Sequence, residues 1–438
     1  MGIIAYHCAE EETLDAAGLA ALQRQKLSAM LGPVLAGNAF YRRKLAAVDF
    51  DPMADPIEKL PFTTRAELER DQVEQPPYGT NLTRPRGDYV RLHQTSGSSG
   101  GPPMRWLDTA QNWLWWKKLW GIIYAAAGVT RHDRLFFPFS FGPFVGFWAA
   151  FESALALGNL SLSGGGMTTP ARLRFMLDNA CTVVCCTPTY AMRMAEVASA
   201  EGIDLASCGV ARLIVAGEPG GSIPATRQRI EETWGARVFD HTGMTEIGAL
   251  GFECEQAPGG VHLIESECIA EVIDPATGNP VADGEEGELV LTNLGRCDSP
   301  LIRYRTNDQV RLIRGRRCAC GRWFARMEGG ILGRIDDMVV VRGNNIFPAS
   351  IEAIIRRFDQ VAEFRVEVVE DVSLTRLRVD VEPANASEPR ELAAQVARAI
   401  QDALNFRADV RAVPAGSLPR FEMKARRLVR TRHSGLEA

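Results

Sequence analysis

From about residue 110 to residue 240 the chain alternates between two hydrophobic rhythms, and this alternation limits its fold more than any other feature. Residues 181–188, Cys-Thr-Val-Val-Cys-Cys-Thr-Pro, are a short apolar run that stops at a proline. That is the pattern of a strand buried on both faces. Residues 192–201 follow with helical spacing, residues 210–216 repeat the strand pattern, and residues 225–234 repeat the helix. Strands separated by helices pair in parallel, so the segment reads as α/β. Upstream, residues 16–35 are apolar at helical spacing, and Thr64 stands three residues before Glu67 as a capping-box start.

After residue 260 the rhythm changes. Residues 268–274, 287–292 and 309–314 read as short strands divided by Gly, Asp and Pro turns, a smaller β unit attached to the α/β body. Gly333-Arg334-Ile335-Asp336-Asp337 is a polar break. Beyond it the spacing predicts a strand over 338–341, a helix over 348–358, strands over 364–369 and 377–381, a helix over 390–406 and a last strand over 409–413. A chain of 438 residues is too long for one core. The expected division is a large multi-part N-terminal domain over 1–333, with parallel sheets plus the β unit, a hinge at 334–337, and a small mobile α+β domain over 338–438.

The 49 basic and 54 acidic residues are well mixed, with a net charge of −5. No basic block marks a nucleic-acid or membrane footprint, so neither partner is expected. Residues 122–129 are too short an apolar run to cross a bilayer. The first seven residues lack the basic start and apolar stretch of a secretory leader, and Tyr6 stands where myristoylation prefers Ser or Thr. Ten cysteines in so large a chain do not make a disulfide scaffold, and a reducing cytoplasm is expected.

Two segments carry phosphate chemistry. Thr95, Ser96, Gly97, Ser98, Ser99 and Gly100 offer backbone N–H groups and hydroxyls that can wrap phosphates. Alone, such a segment is more often a flexible loop. Glu246, in Gly243-Met244-Thr245-Glu246, is a carboxylate able to hold a phosphate-bridging Mg²⁺, or else an exposed loop glutamate. Cys254, His262, Cys318 and Cys320 supply three thiolates and an imidazole, a set suited to structural zinc. Cys268 and Cys297 compete as ligands, and the plain alternative is free cysteines beside a surface histidine. The aromatic run from Phe136 through Phe141 to Phe147 is either core or the wall of a pocket for a planar acid.

In order along the chain, these segments resemble the adenylate-forming enzymes, the acyl-CoA synthetase and luciferase-like superfamily. Thr95–Pro102 resembles the phosphate loop, and Asp240-His241-Thr242-Gly243-Met244-Thr245-Glu246 the aromatic-Gly-x-Thr-Glu motif. Tyr304-Arg305-Thr306-Asn307-Asp308 resembles Tyr-Arg-Thr-Gly-Asp, Gly333–Asp337 the hinge, and Glu422–Arg427 the lysine-bearing end. Leu60-Pro61-Phe62, Ala216-Gly217-Glu218-Pro219 and Arg342–Pro348 are similar to the phenylacetate-CoA ligase branch. Two positions depart from the pattern. Gly101 replaces the usual Lys and removes a phosphate-neutralising charge. Thr242 replaces an adenine-stacking Tyr, with His241 the available substitute.

The resemblance implies a fold, a reaction and roles. A carboxylate attacks the α-phosphate of ATP, giving an acyl-adenylate and pyrophosphate, and a thiol then displaces AMP. The acid is expected to be aromatic, phenylacetate- or benzoate-like. The acceptor is CoA, or else a carrier-protein phosphopantetheine or another nucleophile. A different class stays open too, a degenerate nucleotide-binding protein. Thr245 and Glu246 act at the phosphates and Mg²⁺. Gly217, Glu218, Pro219, Asp240, His241 and Thr242 surround the nucleotide, and Asp308 accepts both ribose hydroxyls. Arg334 sits near the ribose or phosphate, or in a hinge salt bridge. Ala216 and Gly243 shape the acid cavity. Lys424, the one lysine beyond the hinge, supplies a point charge at the α-phosphate. Rotation at Asp336 withdraws it and brings Arg342 and Gly343 to CoA. A homodimer stays open.

Overall fold

The computed structural model describes residues 4–95, 103–341, 344–370, 375–384, 388–404, 406–422 and 425–432. Ser96, Gly97, Ser98, Ser99, Gly100, Arg342, Gly343 and Lys424 lie outside the described residues.

Helices begin where the sequence provides oxygen caps. The Thr64 hydroxyl accepts the Glu67 N–H while the Glu67 carboxylate accepts the Thr64 N–H, opening the helix Arg65–Glu74. The hydroxyls of Thr109, Thr168 and Thr187 each accept one N–H at the start of Ala110–Ala126, Thr169–Asp178 and Pro188–Ala200, without the returning carboxylate. The helix expected over 192–201 starts earlier, at Pro188, because a proline at the first helical positions loses no hydrogen bond.

The α/β segment and the β unit share one 11-stranded sheet. Leu160–Ser163, Arg134–Phe137, Val183–Cys186, Arg212–Ala216 and Arg237–Met244 run parallel in that spatial order. The sheet continues antiparallel through Gly248–Phe252, Gly260–Leu263, Arg326–Arg334, Tyr304–Ile313, Glu286–Asn293 and Cys268–Ile273. Successive residues of the parallel strands enter opposite cores. Phe137, Cys185 and Ile214 join Leu119 and Trp120 of the Ala110–Ala126 helix. Phe136, Cys186 and Val215 join Leu173, Tyr190 and Trp234 on the other face. This two-sided burial explains the unbroken apolar runs.

Beyond Arg334 a four-stranded sheet forms with the order Asp409–Ala412, Thr375–Pro383, Val361–Glu370, Leu428–Arg432. The helices Pro348–Ile355 and Pro389–Leu404 close a separate core containing Ile351, Val366, Val379 and Val396. The Leu428–Arg432 strand extends the sequence expectation, which ended at 413. It pairs parallel with Val361–Glu370 at the sheet edge, and its three charged or polar residues mask the strand rhythm.

This smaller unit meets the larger one through polar contacts. The Ala425 N–H donates to Glu218 Oε2 at 2.7 Å, and Thr169 Oγ1 donates to Glu422 Oε1 at 3.2 Å. Phe347 packs so closely over Gly333 that a Cβ there would lie 2.8 Å from its ring.

Candidate active site

Several of the expected site residues lie at or just past the ends of parallel strands. Ligands in such sheets bind outside the strands' carboxyl ends. Arg237–Met244 delivers Asp240 to Met244, and the turn before Gly248–Phe252 holds Thr245 and Glu246. Arg212–Ala216 ends at Ala216, paired in register with His241. Gly243 approaches the facing strand closely: a Cβ would sit 2.7 Å from the Gly248 carbonyl oxygen. Thr95 closes the base of its loop, with its N–H on Met104 O at 2.9 Å and its hydroxyl accepting the Met104 N–H at 3.0 Å.

Glu246 is buried, and Tyr304 Oη donates to its Oε1 at 3.1 Å. No described residue hydrogen-bonds Oε2. Behind it lies a network that sequence reading missed. Arg296 Nη1 donates to the carbonyl oxygens of Thr245 at 2.6 Å and Glu246 at 2.9 Å. Its other nitrogens grip Asp108 at 2.7 and 2.6 Å, and both side chains are fully buried. The guanidinium also stacks on Trp106 and Trp116, 5.4 and 5.2 Å from the ring centres. A carboxylate with one free oxygen on a backbone pinned this way fits a hard divalent cation such as Mg²⁺.

Asp308 lies buried on Tyr304–Ile313, opposite Arg334. Arg334 Nη1 reaches Asp308 Oδ1 at 3.3 Å, while Nε and Nη2 chelate Asp336 at 3.0 Å each. One guanidinium thus spans the ribose candidate and the hinge candidate. Burial works against its charge, but Asp336 and Asp308 outweigh it and hold Arg334 protonated.

The strand alternation separates Asp240 and Thr242 from His241 and Gly243. Asp240 accepts from the Ser222 hydroxyl, and burial pushes its carboxyl up to about 6. His241 turns into an aromatic row. Its ring centre lies 4.6 Å from Trp120, which lies 5.8 Å from Phe147, and Phe139 stands between Phe147 and Phe141 at 5.2 and 4.8 Å. Burial lowers His241 to about 4, so the ring is neutral, and its one proton is on Nδ1 because Gly251 O at 2.6 Å only accepts.

Some expected residues stand elsewhere. Phe136 does not face this row. It belongs to the opposite core, packed against Phe175, and its neighbour Phe137 takes the inward position. Gly217 and Pro219 are exposed, and Glu218 joins the Thr189 N–H at 2.8 Å to the Ala425 N–H. Lys424 itself is outside the described residues, but its neighbours Glu422 and Ala425 are docked beside the strand ends.

Away from this edge, Cys254, His262, Cys318 and Cys320 converge, all four donor atoms lying within 4.8 Å of one another. Cys254 Sγ is 3.6 Å from His262 Nε2 and 3.8 Å from Cys318 Sγ, and Cys320 Sγ is 4.0 Å from Nε2. The edges of a tetrahedron with metal bonds of ~2.0–2.3 Å are about 3.3–3.8 Å, so the set is slightly wider than such a cage. Phe324 O holds the His262 Nδ1 proton at 3.1 Å and leaves Nε2 facing the thiols. Cys268 and Cys297 instead hydrogen-bond to Ile264 O and Leu294 O.

Residues 44–295 match the family model of the AMP-binding enzyme, and residues 343–432 that of the AMP-binding enzyme C-terminal domain. The chain belongs to the AMP-binding enzyme family. Among curated relatives, a phenylacetate-coenzyme A ligase of Escherichia coli is 31% identical, with 95% of this chain and 96% of that protein covered. A phenylacetate-coenzyme A ligase of Thermus thermophilus is 30% identical, with 94% and 96% covered. Among solved structures, 2-hydroxyisobutyryl-CoA ligase in the postadenylation state, with its acyl-AMP, superposes with a TM-score of 0.88 at 27% identity, covering 96% of this chain and 91% of that one. The same enzyme in the thioesterification state scores only 0.72 at similar coverage, 97% and 92%. The chain therefore superposes better on the first of these two structures than on the second. Among the described residues no helix is long and apolar enough to cross a membrane.

Proposed function

We propose that this AMP-forming acid–CoA ligase activates an aromatic carboxylic acid, of the phenylacetate or benzoate class. The aromatic row from Phe141 to His241, which reaches the strand Arg237–Met244 just before Glu246, supports this reading. The acid's ring lies against Trp120 and Phe147, with Ala216 and Gly243 leaving room, and neutral His241 forms part of the wall rather than stacking on adenine. Asp308 accepts the ribose hydroxyls and Arg334 holds it in place. Asp240 and Thr242 lie on the nucleotide side of the strand. The loop from Thr95 to Gly100 donates to the β- and γ-phosphates, and Glu246 holds Mg²⁺, which supplies charge neutralisation between phosphates. Lys424 stabilises the charge that develops at the α-phosphate. The acyl-adenylate then passes to the CoA thiol along Arg342 and Gly343, after rotation at Asp336. That the relatives matched over almost the whole chain are coenzyme A ligases supports CoA over a carrier protein as acceptor.

Pyrophosphate release with phenylacetate, benzoate and 2-hydroxyisobutyrate tests the substrate class, and a carrier protein offered in place of CoA tests the acceptor. Preference for the small hydroxy acid would overturn the aromatic reading. No release with any acid would favour the degenerate alternative.

The four-residue cage holds a structural zinc in this proposal, remote from the thiol chemistry. Elemental analysis should find one zinc per chain, and Cys318→Ser should lose metal and thermal stability together. Metal-free protein of unchanged stability would exclude the site.

A further inference from the structure

The seam between the two units encloses a cavity of about 200 Å³ that the ligase chemistry leaves unused. Arg193 and Arg229 line it from the larger unit; Arg356, Arg420 and Arg427 line it from the smaller one. Most of these charges are matched. Arg193 pairs with Glu196 at 3.0 Å, Arg420 with Glu382, and Arg427 with Glu363 at 2.7 Å and Glu352 at 3.2 Å. Arg229 donates to Val361 O at 3.4 Å across the seam.

Arg356 has only long ion pairs. It is only 4% exposed, yet its Nε and Nη2 have no hydrogen-bond partner among the described residues. The carboxylate oxygens near it, on Glu352 and Glu363, stand at 3.6 and 3.8 Å and are engaged by Arg427. Arg356 and Arg427 flank the Phe364 ring at 5.0 and 5.1 Å. Burial and the neighbouring Arg427 press against the Arg356 charge, and Glu352 and Glu363 offset this only in part. Arg193, Arg420 and Arg427 are held by Glu196, Glu352, Glu363 and Glu382, with Glu218 also acting on Arg427, so what the seam leaves over is hydrogen-bonding capacity on Arg356 rather than net charge. Buried donors left unpaired are costly, and a planar guanidinium suits a tetrahedral oxyanion.

We infer that this seam binds a small inorganic oxyanion of the phosphate class, held by Arg356 of the smaller unit with Arg229 of the larger. Because the walls come from both units, the anion binds only in the arrangement seen here and holds it. It therefore favours the first half-reaction and slows the second. The holding effect rests on the proposed domain alternation; the binding does not. Free phosphate and the pyrophosphate released by adenylation share the recognised chemistry.

Calorimetric titration of the full-length protein, saturated with AMP, with inorganic phosphate and separately with pyrophosphate distinguishes the two sources. Saturable binding that Arg356→Met abolishes, at an unchanged thermal midpoint, is the expected result. Arg229→Met, at the opposite wall, should weaken it too and serves where Arg356→Met does not fold. Transfer from pre-made acyl-adenylate to CoA should slow several-fold with the anion in the wild type and stay constant in the variants. No saturable heat, or equal heat in wild type and variants, overturns the site. Binding that leaves the transfer rate unchanged overturns its holding role. Failure to adenylate any acid would count against the ligase reading alone, because the titration needs no turnover.

Discussion

Glu246, in a turn between two strands of the 11-stranded sheet, and Asp308, on one of its strands, are anchored in opposite ways. The backbone of Glu246 is fastened by Arg296 and Asp108, both fully buried and bonded at two points. Asp308 is tied to Arg334, whose side chain is 38% exposed and whose stronger grip is on Asp336 at 46% exposure. A desolvated pair cannot exchange partners without leaving a buried charge, whereas a half-exposed pair can. The first arrangement suits a group that keeps its place, the second the release that the proposed rotation at Asp336 requires.

The largest effect should come from the buried anchor. Arg296→Met leaves Asp108 uncompensated, and breaking such a pair typically costs about 3–5 kcal/mol. Urea unfolding should show a loss of that order, and Asp108→Asn added to it should recover part. A loss no larger than that of a surface pair would erase the contrast between the two anchors.

Next comes Lys424. Removing a charge aimed at the transition state costs about 2.7–4 kcal/mol, or about two to three decades in rate. Lys424→Ala should lose adenylation by that much and still transfer a pre-made acyl-adenylate to CoA. A bulky residue at Gly343 should do the reverse. Equal slowing of both steps by both variants would break the two-arrangement account.

What was legible in the sequence was what is local or motif-bound. The Thr64–Glu67 box needs four residues and formed as expected. The strand-and-helix alternation from 181 to 234 survives because both faces of those strands are buried. Glu246 and Asp308 were singled out by motif, and the four Cys and His residues, though drawn from two segments, come together as side-chain chemistry suggested. Arg296 escaped because its partner Asp108 is 188 residues away, and nothing in either neighbourhood marks the pair. Phe136 was misplaced for a different reason. A run of phenylalanines has no alternation to show which ring turns which way, so only the sheet distinguishes it from Phe137. Continuity of the two halves in one sheet was equally hidden, since pairing across Arg237–Met244 and Gly248–Phe252 depends on a reversal at Thr245-Glu246.

On the rigid side of the comparison, His241 offers a titration test. Its folded value of about 4 lies below the ordinary 6.5, so the folded protein binds fewer protons between those limits. Its contribution to stability is complete above the ordinary value and is lost as pH falls through that window, by roughly 1–2 kcal/mol between pH 7 and pH 5. Asp240 and Glu253, pushed up to about 6 and about 7, act in the opposite sense, so the informative quantity is the difference from His241→Gln. Urea unfolding at the two pH values should show the variant losing less stability on acidification than the wild type. Identical slopes would mean the ring is not held neutral against Trp120.

The smallest effect on stability should be at the hinge, and it sharpens the contrast most. Asp336→Ala removes a pair that is nearly half exposed at one end, worth at most about 1 kcal/mol. Arg334 then keeps only its longer contact with Asp308, at 3.3 Å. The postadenylation arrangement loses one of its ties while the Arg296 network is untouched. The balance between half-reactions should therefore move toward CoA transfer by no more than about fivefold, the rate equivalent of that energy. Stopped-flow measurement of each half-reaction on its own would read the shift. A large loss of stability, or equal slowing of both steps, would mean that Asp336 is a structural anchor like Asp108 and that the two regions do not differ in kind.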